Sequence, residues 1–137
     1  MLIDKPRMAV GGEIVETFPI EGADRIQRAE VICGESGRWS CVVDRDVPVG
    51  TAVVVFMHDA VLQPDPRWTS MEKHGYRVKM MRLRGCPSEV LAVPDPMADG
   101  KCGADFTDEL GVKKASRLLR GNARSRMTRA TRPFRRV

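Results

Sequence analysis

The residues of this 137-residue chain best suited to chemistry are cations rather than nucleophiles. In the stretch KHGYRVKMMRLRG, Lys73, Arg77, Lys79, Arg82 and Arg84 crowd around Tyr76. Cations interleaved with an aromatic suit a phosphate chain, with Tyr76 placed to stack on a base. The same pattern also describes a solvated strand face whose charges keep it from pairing edge to edge. A second basic set comprises Lys113, Lys114, Arg117, Arg120, Arg124, Arg126, Arg129, Arg132, Arg135 and Arg136, with no acidic residue among residues 113–137. Arg117, Arg120 and Arg124 recur at helical spacing, and the guanidinium fork matches phosphate oxygens. Several such contacts would give salt-dependent binding without sequence preference. The bland alternative is a solubilising, disordered tail.

Other candidates for catalysis are weak. His58 adjoins Asp59, but no nucleophile stands in a motif with them, so a structural histidine is expected. Cys33, Cys41, Cys86 and Cys102 lack CxxC or zinc-type spacing. Buried free thiols are expected, although Cys33 and Cys41 are placed to meet across a hairpin, and Cys86 beside Gly85 reads as a packed thiol. Trp39 reads as a core anchor and Trp68 as a loop plug. There is no Gly-rich phosphate loop and no metal-ligand cluster in the sequence. The expectation is therefore no catalytic residue, no metal and no cofactor.

Charge becomes informative once the chain is divided. Residues 1–112 hold thirteen basic and all eighteen acidic residues, a formal −5, whereas residues 113–137 carry +10. A basic arm on an acidic body points to nucleic acid or an acidic protein surface. No secretory signal and no long apolar run are present, which predicts a soluble, cytoplasmic protein without membrane contact.

The elements that must position these residues are short strands. Residues 76–94 are expected to hold two consecutive strands of a bent sheet. Their alternation (Tyr76, Val78, Met80) shifts phase at Met81 and Leu83, as at a β-bulge. Residues 14–18 (IVETF) read as a strand, and 29–33 and 39–43 as a hairpin around Gly34-Glu35-Ser36-Gly37. The continuous run TAVVVFM at 51–57 reads as a strand buried on both faces. Residues 69–75 are expected to form one short helical turn. Thr107 is a candidate N-cap for a helix ending at Gly111 or at Leu119, before Gly121-Asn122. The predicted architecture is all-β, an OB-fold-like barrel with a short C-terminal helix. Its boundaries are a lead-in strand or arm at 1–12 (an edge strand, or one swapped onto a partner), the barrel at 13–112 and a basic arm at 113–137.

Four segments carry a family resemblance: IEGADRI (20–26), WSCVVDRDVPVGTAVVVFMHDAVL (39–62), GYRVKMMRLRG (75–85) and GADFTDELGVKK (103–114). In order and spacing they resemble the N-terminal OB-fold domain of ATP-dependent, nick-sealing RNA ligases. Departures are present: Ser88-Glu89-Val90-Leu91 stands where that family usually has Ser-Gln-Gly-Leu, and Met57 stands in place of an acidic residue, although Asp59 matches. The resemblance implies an OB fold that assists substrate engagement. It also implies that nucleotide transfer needs the lysine of a Lys-x-Asp-Gly motif, and none of the six lysines here is followed by x-Asp-Gly.

These readings converge on a non-catalytic OB-fold module that binds nucleic acid, RNA or DNA, or a polyanionic partner, through its basic arm. A second expectation is a structural subunit of a large assembly, such as a virion or ribonucleoprotein, with the barrel as packing brick and the arm on its neighbours; its location would then be the virion. A third is the accessory half of a split RNA ligase.

Overall fold

A computed structural model describes residues 6–115 of the chain. Its framework is a curled five-stranded antiparallel sheet in the order β3-β2-β1-β4-β8. The strands are β1 (Ala9–Pro19), β2 (Ile26–Ile32), β3 (Arg38–Asp44), β4 (Ala52–Phe56), β5 (Ala60–Val61), β6 (Met81–Leu83), β7 (Cys86–Ser88), β8 (Leu91–Pro94) and β9 (Lys113–Lys114). The mostly-β, barrel-like architecture expected from the alternating pattern is thus present. β4 is buried on both faces, as its unbroken apolar run predicts. Val54 and Phe56 enter one core cluster with Met8, Trp68 and Phe106, and Val53 and Val55 enter another with Ile14, Val31 and Cys41.

β1 bends between two partners. Residues 9–13 pair with β4, residues 13–19 pair with β2, and the register shifts between Ile14 and Glu16, a bulge that sharpens the curl. Within the lead-in expected at 1–12 as an edge or swapped strand, Ala9–Gly12 instead form the buried start of the interior strand β1, and residues 1–5 lie outside the described residues. The reason is close backbone approach. Gly11 N–H donates to the Ala104 carbonyl at 2.8 Å, and Gly103 N–H donates to the Gly11 carbonyl at 2.9 Å. A Cβ at Gly11 would lie 2.2 Å from the Lys101 carbonyl oxygen, so only glycine fits.

The free edge of β3 is closed by residues 88–90. Glu89 N–H donates to the Ser40 carbonyl (2.9 Å), Ser40 N–H donates to Glu89 Oε1 (2.9 Å), and Val42 N–H donates to Ser88 Oγ (3.2 Å). This seam turns the sheet toward a barrel without a full strand ladder.

Residues 76–94 depart from the two consecutive strands expected. Tyr76 has φ 61° and residues 76–78 follow β5 through Leu62 N–H to the Tyr76 carbonyl and Val78 N–H to the Ala60 carbonyl, both 2.8 Å. The phase shift at Met81 marks the start of a separate hairpin, β6–β7, whose two-residue turn places Arg84 (φ 53°) and Gly85 (φ 83°) in left-handed conformations. Met81 and Leu83 therefore face solvent instead of the core.

The helical turn expected at 69–75 is observed as the part after the kink in a 3-10 stretch, Pro66–His74, that is broken at Trp68 (φ −139°, ψ 44°). Asp65 accepts Arg67 N–H at its start, and left-handed Gly75 ends it. The helix expected from Thr107 is instead a single turn at 107–111. Thr107 Oγ1 accepts the Met8 and Ala9 N–H groups (3.0 and 3.2 Å), capping β1 rather than a helix. Left-handed Gly111 then lets Val112 bury and β9 pair with β5. Lys113 and Lys114 thus belong to the body, not the arm. Continuation to Leu119 lies outside the described residues.

Candidate nucleic-acid interface

The basic residues of 73–84 divide by environment. Lys79, Arg82 and Arg84 are exposed on and beside the β6–β7 hairpin, and Lys73 is exposed on the 3-10 segment. Among the described residues these four take part in no ion pair. Arg82 Nη1 donates to the Gly85 carbonyl (3.1 Å), stiffening the hairpin turn, and Arg84 Nη1 lies over the β1–β2 turn, 3.8 Å from where a Gly22 Cβ would stand.

Arg77 and Tyr76 are placed otherwise. The Arg77 side chain is largely buried and its guanidinium is committed to the Asp59 carboxylate, Nε to Oδ1 at 2.9 Å with a second contact from Nη2. Asp59 itself has φ 74°, and strain of this kind at a non-glycine residue collects at functional sites. His58 Nδ1 lies 3.7 Å from Asp59 Oδ2. Tyr76 packs against the first core cluster. Neither Arg77 nor Tyr76 is therefore presented as the exposed contact expected from their spacing, since strand-like alternation was broken at Gly75 and Tyr76.

Lys113 and Lys114 are exposed on β9. The last described hydrogen bond of the chain, Ala115 N–H to the Asp59 carbonyl (2.8 Å), roots the arm beside His58. Arg117, Arg120, Arg124, Arg126, Arg129, Arg132, Arg135 and Arg136 lie outside the described residues.

Of the cations elsewhere among the described residues, Arg28, Arg38 and Arg67 are held by carboxylates, whereas Arg7, Arg25, Arg45 and Lys101 are exposed and take part in none of these ion pairs. Arg38 pairs with Glu16 (2.7 Å) and Glu30 (3.0 Å), and Arg28 pairs with Glu30 (3.1 Å) and stacks over Phe18. Burial pushes the Glu30 carboxyl upward, but hydrogen bonds from Ser40 and Arg38 and the charges of Arg38 and Arg28 outweigh it and hold it below the usual range. Arg67 bridges Asp65 and Asp95 over the Trp68 ring. Trp68 plugs the core as expected, edge-on to Phe56 at 5.5 Å, with its indole N–H donated to the Gln63 carbonyl.

The four cysteines are free thiols. Burial pushes Cys33 and Cys41 up to about 12, with the neighbouring Cys102 and Glu30 respectively adding to it. They are inert core residues, whereas Cys102 is exposed. Among the described residues no cluster of histidine, cysteine and carboxylate is arranged to hold a metal ion, and no helix is long and apolar enough to cross a membrane.

One further feature was invisible in the sequence. An open cavity of about 400 Å³ sits at the barrel mouth, floored by Trp39, Met57, Met80 and Val90 and rimmed by Arg7, His58 and Glu89. Trp39 reads in sequence as a core anchor. It packs only partly against the second core cluster and otherwise lines this cavity, so an indole next to a glycine-rich turn was the one local signal.

No family model and no curated protein matches the chain. Solved structures do. Naegleria gruberi RNA ligase with PPi superposes with a TM-score of 0.69 at 28% identity, over 82% of this chain and 36% of that one. A mutant of the same ligase in its apo form gives 0.67 at 27% identity over 80% and 35%. A further mutant with AMP and Mn gives 0.67 at 28% identity, again over 80% and 35%. The chain spans about a third of the length of these ligases, and over that span it has an RNA ligase-like fold.

Proposed function

We propose that this chain is a non-catalytic module equivalent to the N-terminal OB-fold domain of an RNA ligase, and that it engages nucleic acid across its hairpin and arm. The observation that carries the reading is the superposition on RNA ligase over four-fifths of the chain. The arrangement of charge supports it. Among the described residues, Lys79, Arg82, Arg84, Lys113 and Lys114 are exposed and take part in no ion pair, while Arg28, Arg38 and Arg67 are engaged by carboxylates. Surface cations left unpaired in this way are able to exchange counterions for phosphates. The module contributes positioning and no chemistry, because no lysine of the sequence stands in Lys-x-Asp-Gly. Nucleotide transfer would then draw on a Lys-x-Asp-Gly lysine outside these residues.

Amide chemical-shift mapping of the full chain with single-stranded RNA tests this. Shifts are expected at residues 79–84 and 113–114, with the Glu16, Glu30 and Arg38 face unmoved. Perturbation confined to residues beyond 115 would reduce the module to a carrier for its arm.

A second reading, a structural subunit of a larger assembly, is favoured by one observation. Met80, Met81 and Leu83 are exposed on or beside the hairpin at 57%, 47% and 36%, and clustered apolar side chains of this kind mark contact surfaces. Sedimentation of the chain alone as a large oligomer would support that reading over the first.

A further inference from the structure

The barrel-mouth cavity lies beside the seam that closes β3 and invites a ligand. Its walls come from five separate segments: Arg7 before β1, Ser36 and Trp39 from the β2–β3 connection and β3, Met57 and His58 after β4, Met80 before β6, and Glu89-Val90 between β7 and β8. Sites of this kind, apolar with few polar groups, form at the mouths of barrels. Its volume of about 400 Å³ accommodates a nucleotide-sized group.

Two of its walls are fixed in place. The Trp39 indole N–H donates to the Ser36 carbonyl at 3.1 Å, and Glu89 Oε1 accepts Ser40 N–H at 2.9 Å across the seam. The cavity thus offers a flat, immobilised aromatic ring, two adaptable methionines and a held carboxylate able to accept from a base amino group. Cations stand at and beside the rim: Arg7 lines the cavity, Lys79 adjoins Met80, and the hairpin continues to Arg82 and Arg84, with Glu89 the one carboxylate of the lining. On the His58 side, Ala115 N–H on the Asp59 carbonyl brings Lys113 and Lys114 near.

A polyanion lying along these cations passes over the cavity, and a group that is planar, apolar on its faces and polar at its edge matches what lies beneath. We infer that the barrel mouth is a base-binding site, in which one unpaired nucleobase of a single-stranded RNA stacks on Trp39 while its flanking phosphates lie on Arg7, Lys79 and the hairpin. A base still paired within a duplex is turned inward and does not reach this stack. The inference rests on the reading of this chain as a nucleic-acid module and names which nucleic acid, and which part of it, the body recognises.

The test uses the full chain with Trp68→Phe, leaving Trp39 as the only indole, and two polymers of equal length: an oligoadenylate and an abasic sugar-phosphate chain. The oligoadenylate should quench Trp39 emission saturably and bind at least about tenfold more tightly than the abasic chain, the worth of one base–aromatic stack. Met80→Glu, at an exposed position that costs the fold little, should remove about the same factor in an anisotropy titration of the otherwise unchanged chain. It should leave abasic-chain binding affected only by its added charge. Equal affinity for the two polymers with no quenching overturns the site while the nucleic-acid reading stands. Failure of both polymers to bind at low salt overturns that reading, and the site with it.

Discussion

Replacing Lys79, Arg82 and Arg84 together by alanine separates exposed cations from committed ones. All three are exposed and, among the described residues, take part in no ion pair, so each is able to neutralise a phosphate. For single strands the slope of log affinity against log salt is about −0.7 per phosphate neutralised, so the triple variant should flatten it by about 2. Between about 50 and 200 mM salt, the parent would then lose roughly twentyfold more affinity than the variant does. Anisotropy titrations of a labelled single-stranded RNA across that range measure the slope directly. Arg77→Ala is the matched control. Its guanidinium is held by Asp59, both side chains are about four-fifths buried, and its loss should cost about 1–3 kcal/mol of stability with the salt slope little changed. An unchanged slope in the triple variant, or an equal flattening by Arg77→Ala, would refute the division of the basic cluster drawn from these contacts.

Gly11→Ala places a Cβ 2.2 Å from the Lys101 carbonyl, so β1 or residues 101–104 must shift; thermal melting should show a loss of about 2–4 kcal/mol. Glu30 is held below its unfolded value of about 4.5, so its contribution to stability is complete above that pH and disappears as pH falls through the lower, folded value. Denaturant titrations from neutral pH into the acid range should therefore show a loss below about pH 4.5 that Glu30→Gln diminishes. Thiol labelling of the native chain at neutral pH should modify Cys102 rapidly and leave Cys33 and Cys41 unreacted until the protein unfolds.

Much of the framework is legible in the chain because burial imposes a period. The unbroken run of β4 announces burial on both faces, and the β2–β3 pairing follows from alternation around a glycine-rich turn. Three features escape this logic. Ala9–Gly12 carries two residues without side chains to pattern, yet those glycines are what permit backbone on either side of β1. Residues 76–84 carry a core-like alternation, but left-handed Tyr76, Arg84 and Gly85 break it into a bridge and a hairpin that exposes Met81 and Leu83. Thr107 has the chemistry of a helix cap and spends it on the β1 backbone. The candidate site was half legible. Charge spacing finds the hairpin cations, but which of them is spoken for depends on Asp59, eighteen residues before Arg77. The barrel mouth gathers residues from Arg7 to Val90, a convergence that no local spacing encodes.

The most direct test of the account compares the full chain with one ending after Ala115, both titrated with single-stranded RNA across a salt series. Residues 8–112 supply the core residues of both described clusters, and the shortened chain keeps them. It should still bind saturably, more weakly and with a shallower slope. Complete loss of binding in the shortened chain, with the full chain holding RNA and an unrelated polyanion equally, would place all recognition in the arm and contradict a nucleic-acid surface on the body.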